Sequence, residues 1–165
     1  MKYLENIALR EQDRPQPVLN NNDNAGDDAL SDGIEENLPI KSTEELEAWE
    51  RKLASKEEQK KMVAFLTKVG GRDTNSTVYC SVVKNIVRKV LTDSVAAQFN
   101  WEGKKGKKML SSLIISECIK KAAALSHNVK STTEQDIINA IKNWLRHATA
   151  RLNNKKNKIE NEQDD

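Results

Sequence analysis

The stretch Phe99-Asn100-Trp101-Glu102-Gly103-Lys104-Lys105-Gly106-Lys107-Lys108 separates two long helical patterns, and the predicted fold is organised around it. It brings together two aromatic residues, two glycines and four lysines. Because glycine disfavours a helix interior, the stretch predicts a loop. Phe99 and Trp101 flank this loop and are expected to pack in a small core rather than to stack on bases. The lysines favour contact with a polyanion, and the alternative is a solvated connector.

Apolar residues recur at helical spacing on both sides of this loop. Residues 78–91 form a strong pattern with lysine and arginine left outside it, and residues 92–97 predict a break followed by a short helical turn. Residues 110–123 are apolar over much of their circumference, which predicts a central helix. A capping box of Ser131 and Glu134 precedes a clean apolar seam over residues 137–152, the last predicted helix.

The segment 38–71 predicts two consecutive helices, or one helix bent near its middle. Capping-box signatures stand at residues 42–45 and 55–58. Gly70-Gly71 is expected to end the segment, because glycine readily adopts the left-handed conformation after a helix. Six basic residues balance six acidic ones over 42–69, so a polyanion is not expected here. The apolar faces could instead form an interface with a protein partner or a second copy; their residues are Leu46, Trp49, Leu53, Met62, Phe65 and Leu66.

The sequence therefore predicts an all-α fold of about five to six helices. Within the 165 residues, the ends are poor in apolar side chains and are expected to be disordered. The predicted divisions are an acidic tail over 1–37, the helical pair over 38–71, a helical domain with the basic loop over 72–153, and a polar tail over 154–165.

The near-neutral net charge of +2 hides a basic middle between two acidic ends. Residues 1–38 carry a net charge of −6, residues 39–158 a net +12, and residues 159–165 a net −4. Residues 70–158 alone hold 17 Lys and Arg against 6 Asp and Glu. Such a basic footprint favours a partner bearing phosphates, although a soluble helical domain could also present lysines to water.

Catalysis is not expected from this sequence, and neither is a cofactor or metal site. The two histidines, His127 and His147, fall in a linker and on a polar helical face, and the acidic residues of the basic half are scattered. The glycine-lysine stretch lacks the spacing of a nucleotide phosphate loop, which needs four residues between its glycines and a Ser or Thr after the lysine. Cys80 and Cys118 lie within apolar helical patterns and are predicted to be buried free thiols.

Neither a secretory leader nor a membrane span is predicted. Charges interrupt the opening residues 1–7, and no apolar run is long enough to cross a bilayer. The expected location is the nucleus, otherwise the cytoplasm, and the protein is not expected to be secreted.

Eight residues are candidates for contact with duplex DNA. The four loop lysines can neutralise phosphates as point charges, and the glycines let the backbone approach closely. Asparagine can pair with adenine and arginine with guanine, so the polar face of the last helix has the chemistry of a major-groove reader. Basic residues further along would add unspecific attraction. The candidates are Lys104, Lys105, Lys107, Lys108, Lys142, Asn143, Arg146 and Arg151.

The order of these motifs resembles a known family. Leu38-Pro39-Ile40-Lys41-Ser42, then Glu44-Glu45-Leu46-Glu47, Val69-Gly70-Gly71 and the stretch 99–108 together resemble domain of unknown function 4806, which is common among insect proteins. The resemblance covers about residues 38–124. It carries no assigned activity, so it implies a fold and leaves function open.

From residue 78 onward, the succession of helix, short turn, glycine-lysine loop and two further helices also resembles the BEN domain, an all-helical module of DNA-binding and chromatin proteins. This resemblance spans residues 78–152 and implies that the loop and the last helix face DNA. The function expected from the sequence is thus DNA binding in chromatin or transcription regulation. The alternative is a protein-interaction or dimerisation module that binds no nucleic acid.

Overall fold

The computed structural model describes residues 32–71, 79–126 and 132–162 of the chain. Within these residues the fold is all-α, as predicted, and its one strand pair is a short parallel ladder of two residues each. The elements are α1 (Asp32–Glu35), α2 (Thr43–Leu53), α3 (Lys56–Gly71), α4 (Tyr79–Val90), α5 (Asp93–Ala96), β1 (Phe99–Asn100), β2 (Lys108–Met109), α6 (Ile114–Leu125), α7 (Glu134–Arg146) and α8 (Ala148–Glu162).

Helix α6 lies at the centre of the fold, which confirms its predicted position. It packs against α2, α3, α4 and α7, and both of its faces contribute to one continuous hydrophobic core. Ile115, Ile119 and Ala122 are fully buried. Its contacts with four helices bury most of its circumference and leave Glu117, Lys121, Ala124 and Leu125 exposed, which explains why most of its sequence is apolar.

The described structure begins before the predicted boundary at residue 38. Ile34 of α1 is 3% exposed and Leu38 is 8% exposed, so both belong to the core. Ile40 then forms a parallel bridge with Leu91, in which the Ile40 N–H donates to Val90 O at 2.8 Å. The predicted acidic tail over 1–37 was therefore drawn too long by these residues, and its first 31 residues lie outside the described structure.

The helix starts use capping contacts that the sequence predicted only in part. The Ser42 hydroxyl accepts a hydrogen bond from Glu45 N, whereas the Glu45 carboxylate accepts from the neighbouring Lys41 N rather than from Ser42. The capping box of α7 was placed wrongly. It consists of Thr133 and Asp136, and the side chain of each accepts a hydrogen bond from the backbone N–H of the other. Aspartate thus occupies the third helical position, where a capping box usually has glutamate.

Gly70 is required by packing and not by a left-handed backbone. It lies inside the last turn of α3 and is buried. A Cβ at this position would stand 2.5 Å from Ser126 Oγ and 2.9 Å from Ile86 Cδ1, whereas one at Gly71 would meet nothing within 4 Å. Gly70 therefore allows α3 to approach α4 and the end of α6 closely. Gly71, the last residue of α3, is under no such constraint.

Cys80 is exposed, which corrects the prediction that both thiols are buried. It lies on the polar face of α4, four residues before Lys84 and eight before Arg88, and both of those side chains are exposed. Cys118 is buried on α6, as predicted, and this burial raises the pKa of its thiol to about 11.

The polar tail predicted from residue 154 continues as helix. Helix α8 extends through Glu162, and the side chains of residues 153–159 are exposed along it. Its first turns are attached to the domain by the ion pairs of Arg151 and Lys155 with Asp93. These contacts explain why helical backbone extends past the last apolar residue of the seam.

Candidate nucleic-acid interface

The glycine-lysine loop connects β1 and β2 and is held by its own side chains and backbone. The Asn100 amide donates to Lys104 O at 2.7 Å and accepts from Lys104 N at 3.0 Å. A backbone hydrogen bond from Lys107 N to Lys104 O closes the turn. At the start of the loop, Phe99 is 3% exposed, which confirms its prediction as a core residue. Trp101 is half-buried against the same core.

Positive backbone φ angles explain why two glycines stand in this turn. Gly103 has φ 69° and Gly106 has φ 73°, a region that other residues rarely adopt. At Gly103 a Cβ would also lie 3.0 Å from Met109 Cβ, so only glycine fits without displacement. Lys105 has φ 56° despite carrying a side chain, so the turn holds one lysine in a strained conformation that displays it to solvent.

Helix α7 lies beside the loop, so the two groups of predicted DNA contacts meet. They line one groove of about 470 Å³ on the protein surface. Five basic side chains and one carboxylate line it: Lys104, Lys105, Lys107, Lys142, Arg146 and Glu102. Phe99, Trp101 and Leu145 form its apolar floor. Lys108 is exposed on β2 and does not contribute to this lining.

Glu102 joins the loop to α7. Its carboxylate lies 2.6 Å from Lys104 Nζ and 2.9 Å from Lys142 Nζ, so one acidic residue bridges lysines from both sides of the groove. The hydrogen bonds from Lys104 and then Lys142 lower the pKa of Glu102 to about 2. The carboxylate therefore remains ionised at neutral pH, and it bridges the loop and the helix while cancelling one of the five positive charges.

Asn143 of α7 and Arg151 of α8 do not line the loop groove. They line a second groove of about 520 Å³ between α4, α7 and α8. The Arg151 guanidinium stacks over the Trp144 ring at 4.2 Å, donates to Trp144 O at 2.9 Å and pairs with Asp93 at 2.7 Å. Burial raises the pKa of Asp93, but the hydrogen bonds from Lys155 and Arg151 outweigh it and leave that pKa lowered.

The six residues predicted as a protein interface are interior. Each is at most 8% exposed, because α6 and α4 already cover the apolar faces of α2 and α3. The prediction that these faces dock a partner is therefore wrong: the side chains that suggested it form the chain's own core. They are Leu46, Trp49, Leu53, Met62, Phe65 and Leu66.

Several residues that shape this surface were not singled out from the sequence. Glu102 could have been noticed as the one carboxylate within the basic stretch, but its partner on α7 is 40 positions away. Glu50 of α2 accepts hydrogen bonds from Ile114 N and Ile115 N at 2.7 and 2.8 Å, and so caps the start of α6. No local pattern marks such a contact, because Leu113 at the N-cap position provides no polar side chain.

Within residues 32–71, 79–126 and 132–162, no group of three or more His, Cys, Asp or Glu side chains is arranged to hold a metal ion. None of the helices in these ranges has the length and apolar character required to cross a membrane.

Comparison with known proteins identifies a family for most of this architecture. Residues 35–122, more than half of the chain, match the family described as a domain of unknown function, DUF4806. The match starts at the end of α1 and stops within α6, so it includes the basic loop and leaves α7 and α8 outside. No curated protein and no solved structure matches the chain. The chain therefore belongs to the DUF4806 family.

Proposed function

We propose that this protein binds duplex DNA in the nucleus, as a chromatin-associated or transcription-regulating domain without catalytic activity of its own. The observation that carries the proposal is the shared groove of the glycine-lysine loop and α7, where five basic side chains meet one carboxylate. Separate basic segments of the sequence thus form a single positive surface. A concentration of lysine and arginine on one face is the electrostatic footprint of nucleic-acid binding.

The geometry suggests a division of roles between loop and helix. Lys105 and Lys107 project from a turn whose backbone is fixed by Asn100, so they would meet phosphates at defined positions with little loss of backbone entropy. Arg146 and Asn143 are exposed on α7 and would approach base edges. Lys142 lies between the two groups.

The core beneath the groove supports this proposal, because a binding surface requires rigid support. Leu145 and Trp144 of α7 are 1% and 5% exposed and anchor the helix from below. Phe99 anchors the loop in the same core. Both halves of the groove are thus mounted on one packed interior, and the DNA-facing side chains do not have to be ordered by large backbone movements.

The test is the affinity of the full chain for a duplex oligonucleotide as a function of salt. Contact with about five phosphates predicts a slope of log K against log salt near −4 to −5. Replacing Lys104, Lys105, Lys107 and Lys108 by glutamine should reduce the slope by about two to three, because Lys108 lies outside the groove and Lys104 is paired with Glu102, with the helical content unchanged.

A matched control replaces four exposed lysines that line neither basic groove, namely Lys41, Lys56, Lys60 and Lys121. This variant has the same change in net charge as the loop variant. We expect its slope to stay close to that of the wild type. Equal losses in the two variants, or no salt-dependent binding by the wild type at low ionic strength, would overturn the proposal.

A further inference from the structure

We infer that the groove between α4, α7 and α8 is a second phosphate-binding site, so that α7 lies between the two backbones of one DNA duplex. This inference rests on the proposed function and adds to it the binding of both strands. The residues that line this second groove are Lys84, Arg88, Asp93, Asn143, Trp144, His147, Arg151 and Lys155.

The second groove carries positive charge that its own carboxylate does not neutralise. Asp93 is already occupied by Arg151 at 2.7 Å and by Lys155 at 2.6 Å. Lys84 and Arg88 are exposed one turn apart on α4, and neither side chain forms a hydrogen bond or ion pair with any residue in the described ranges. Two basic side chains are therefore available to a phosphate that enters this groove.

Two hydrogen-bond donors of residues that line this groove lie beneath its surface. Trp144 Nε1 and Arg151 Nη2 are buried donors with no hydrogen-bond partner among the described residues, and both side chains belong to this groove. Both atoms are enclosed by protein and do not reach a ligand, so the charge offered to a phosphate comes from the exposed side chains of Lys84 and Arg88.

The two grooves flank the exposed face of α7. Lys142 and Arg146 form one row along the helix and line the loop groove, whereas Asn143 and His147 form the next row and line the second groove. Neighbouring rows are about 100° apart around a helix. A helix with its side chains is about 10–12 Å across and fits a major groove about 12 Å wide, so phosphates would stand on both sides of it.

The experiment compares a 20-base-pair duplex with one of its single strands, using the full chain at a series of salt concentrations. The double variant K84Q/R88Q removes charge from the second groove, and K105Q/K107Q removes the same charge from the loop groove. K60Q/K121Q serves as the control, because both lysines are exposed and line neither basic groove. Circular dichroism and thermal melting establish that each variant remains folded.

For the duplex, we expect K84Q/R88Q and K105Q/K107Q each to reduce the salt slope by about two, and the control to leave it unchanged. For the single strand, K84Q/R88Q should lower the affinity by at most about twofold, because one strand can use either groove but cannot bridge both.

Each other result decides against the inference. If K84Q/R88Q keeps the wild-type salt slope for the duplex while K105Q/K107Q reduces that slope, the second groove binds no phosphate and the proposed function stands. If K84Q/R88Q weakens duplex and single strand equally, the two-strand arrangement is wrong. If the wild type binds no duplex, both the proposed function and this inference fail.

Discussion

Glu102 of the loop and Lys142 of α7 are joined at 2.9 Å across 40 positions of sequence. The same carboxylate also holds Lys104 at 2.6 Å. A phosphate entering the groove must therefore compete with Glu102 for two lysines that it would otherwise contact freely. The contact has two consequences, since it positions the basic residues and it also reduces the charge that they offer to an anionic ligand.

Glu102→Gln should strengthen DNA binding. The substitution removes one negative charge from the groove and releases Lys104 and Lys142 to phosphates, so the slope of log K against log salt should become steeper by about one. Affinity at moderate salt should rise severalfold. Glu117→Gln is the control, because Glu117 is also paired with a lysine, Lys120 at 2.7 Å, but lies on α6 outside both grooves. Weaker binding by Glu102→Gln would show that its positioning role dominates.

The carboxyl group of Glu102 should titrate with a pKa far below the ordinary value for glutamate. Its pKa is lowered to about 2 from an ordinary value of 4.5, so its ion pairs contribute fully above pH 4.5 and are lost as the pH falls through about 2. Carbon-13 NMR of the side-chain carboxyl should give this midpoint directly. In a Lys104→Gln/Lys142→Gln variant the midpoint should move up towards 4.5. A wild-type midpoint near 4.5 would mean that the bridge does not persist in solution.

Glu50→Ala should destabilise the domain by about 1–3 kcal/mol, because two backbone N–H groups at the start of α6 lose their acceptor. The measurement is urea unfolding, supported by faster hydrogen exchange of the Ile114 and Ile115 amides. Glu47→Ala is the matched control on the same helix, since Glu47 is exposed. Similar losses in the two variants would contradict a capping role for Glu50.

Gly70→Ala and its neighbour Gly71→Ala should have opposite effects on stability. At Gly70 the new Cβ would overlap Ser126 and Ile86, which costs about 1–3 kcal/mol against a gain in helix propensity of about 1 kcal/mol, so the net loss of stability is up to about 2 kcal/mol. At Gly71 the space is open, so only the gain remains. Thermal unfolding of the two variants measures the difference. A stable Gly70→Ala protein would show that Ser126 and Ile86 move aside easily.

The two thiols should react with maleimide at very different rates. Cys80 is exposed and should be labelled in the native protein, whereas Cys118 is buried with its pKa raised to about 11 and should be labelled only on unfolding. Mass spectrometry of the native protein should therefore find one label, and Cys80→Ser should abolish it. Rapid labelling of native Cys80→Ser would contradict the burial of Cys118.

Periodicity predicted the helices well because most of them have one buried face. The patterns over 78–91 and 110–123 correspond to α4 and α6. The same reasoning failed for Cys80, which lies in an apolar run but on the polar face of its helix. It also assigned the apolar faces of α2 and α3 to a protein interface. The sequence pattern of an apolar face, such as that of Leu46 and Trp49, is the same whether the face packs against another chain or against α6.

Residue types indicated most of the basic side chains that line the loop groove, but Lys108 lies outside it, and no residue type indicated which carboxylate pairs with them. The lysines of 104–107 are conspicuous in the sequence, and α7 carries Lys142 and Arg146 on its polar face. Their proximity depends on the packing of Phe99 and Leu145 in one core, and their restraint depends on Glu102. Such long-range pairs are fixed by tertiary structure, so no local spacing encodes them.

Helix α6 is held at both ends by the N-terminal helical pair, through Glu50 of α2 at its start and through Gly70 of α3 against Ser126 at its finish. The helices that provide these contacts carry no DNA-facing charge. Their role is instead to stabilise the central helix. Without them, α6 would lose the cap at its start and a packing partner, and much of its apolar surface would be exposed to water. A fragment starting after Gly71 would keep every proposed DNA contact and still be expected to unfold, so the smallest cooperative folding unit includes the helices that touch no ligand.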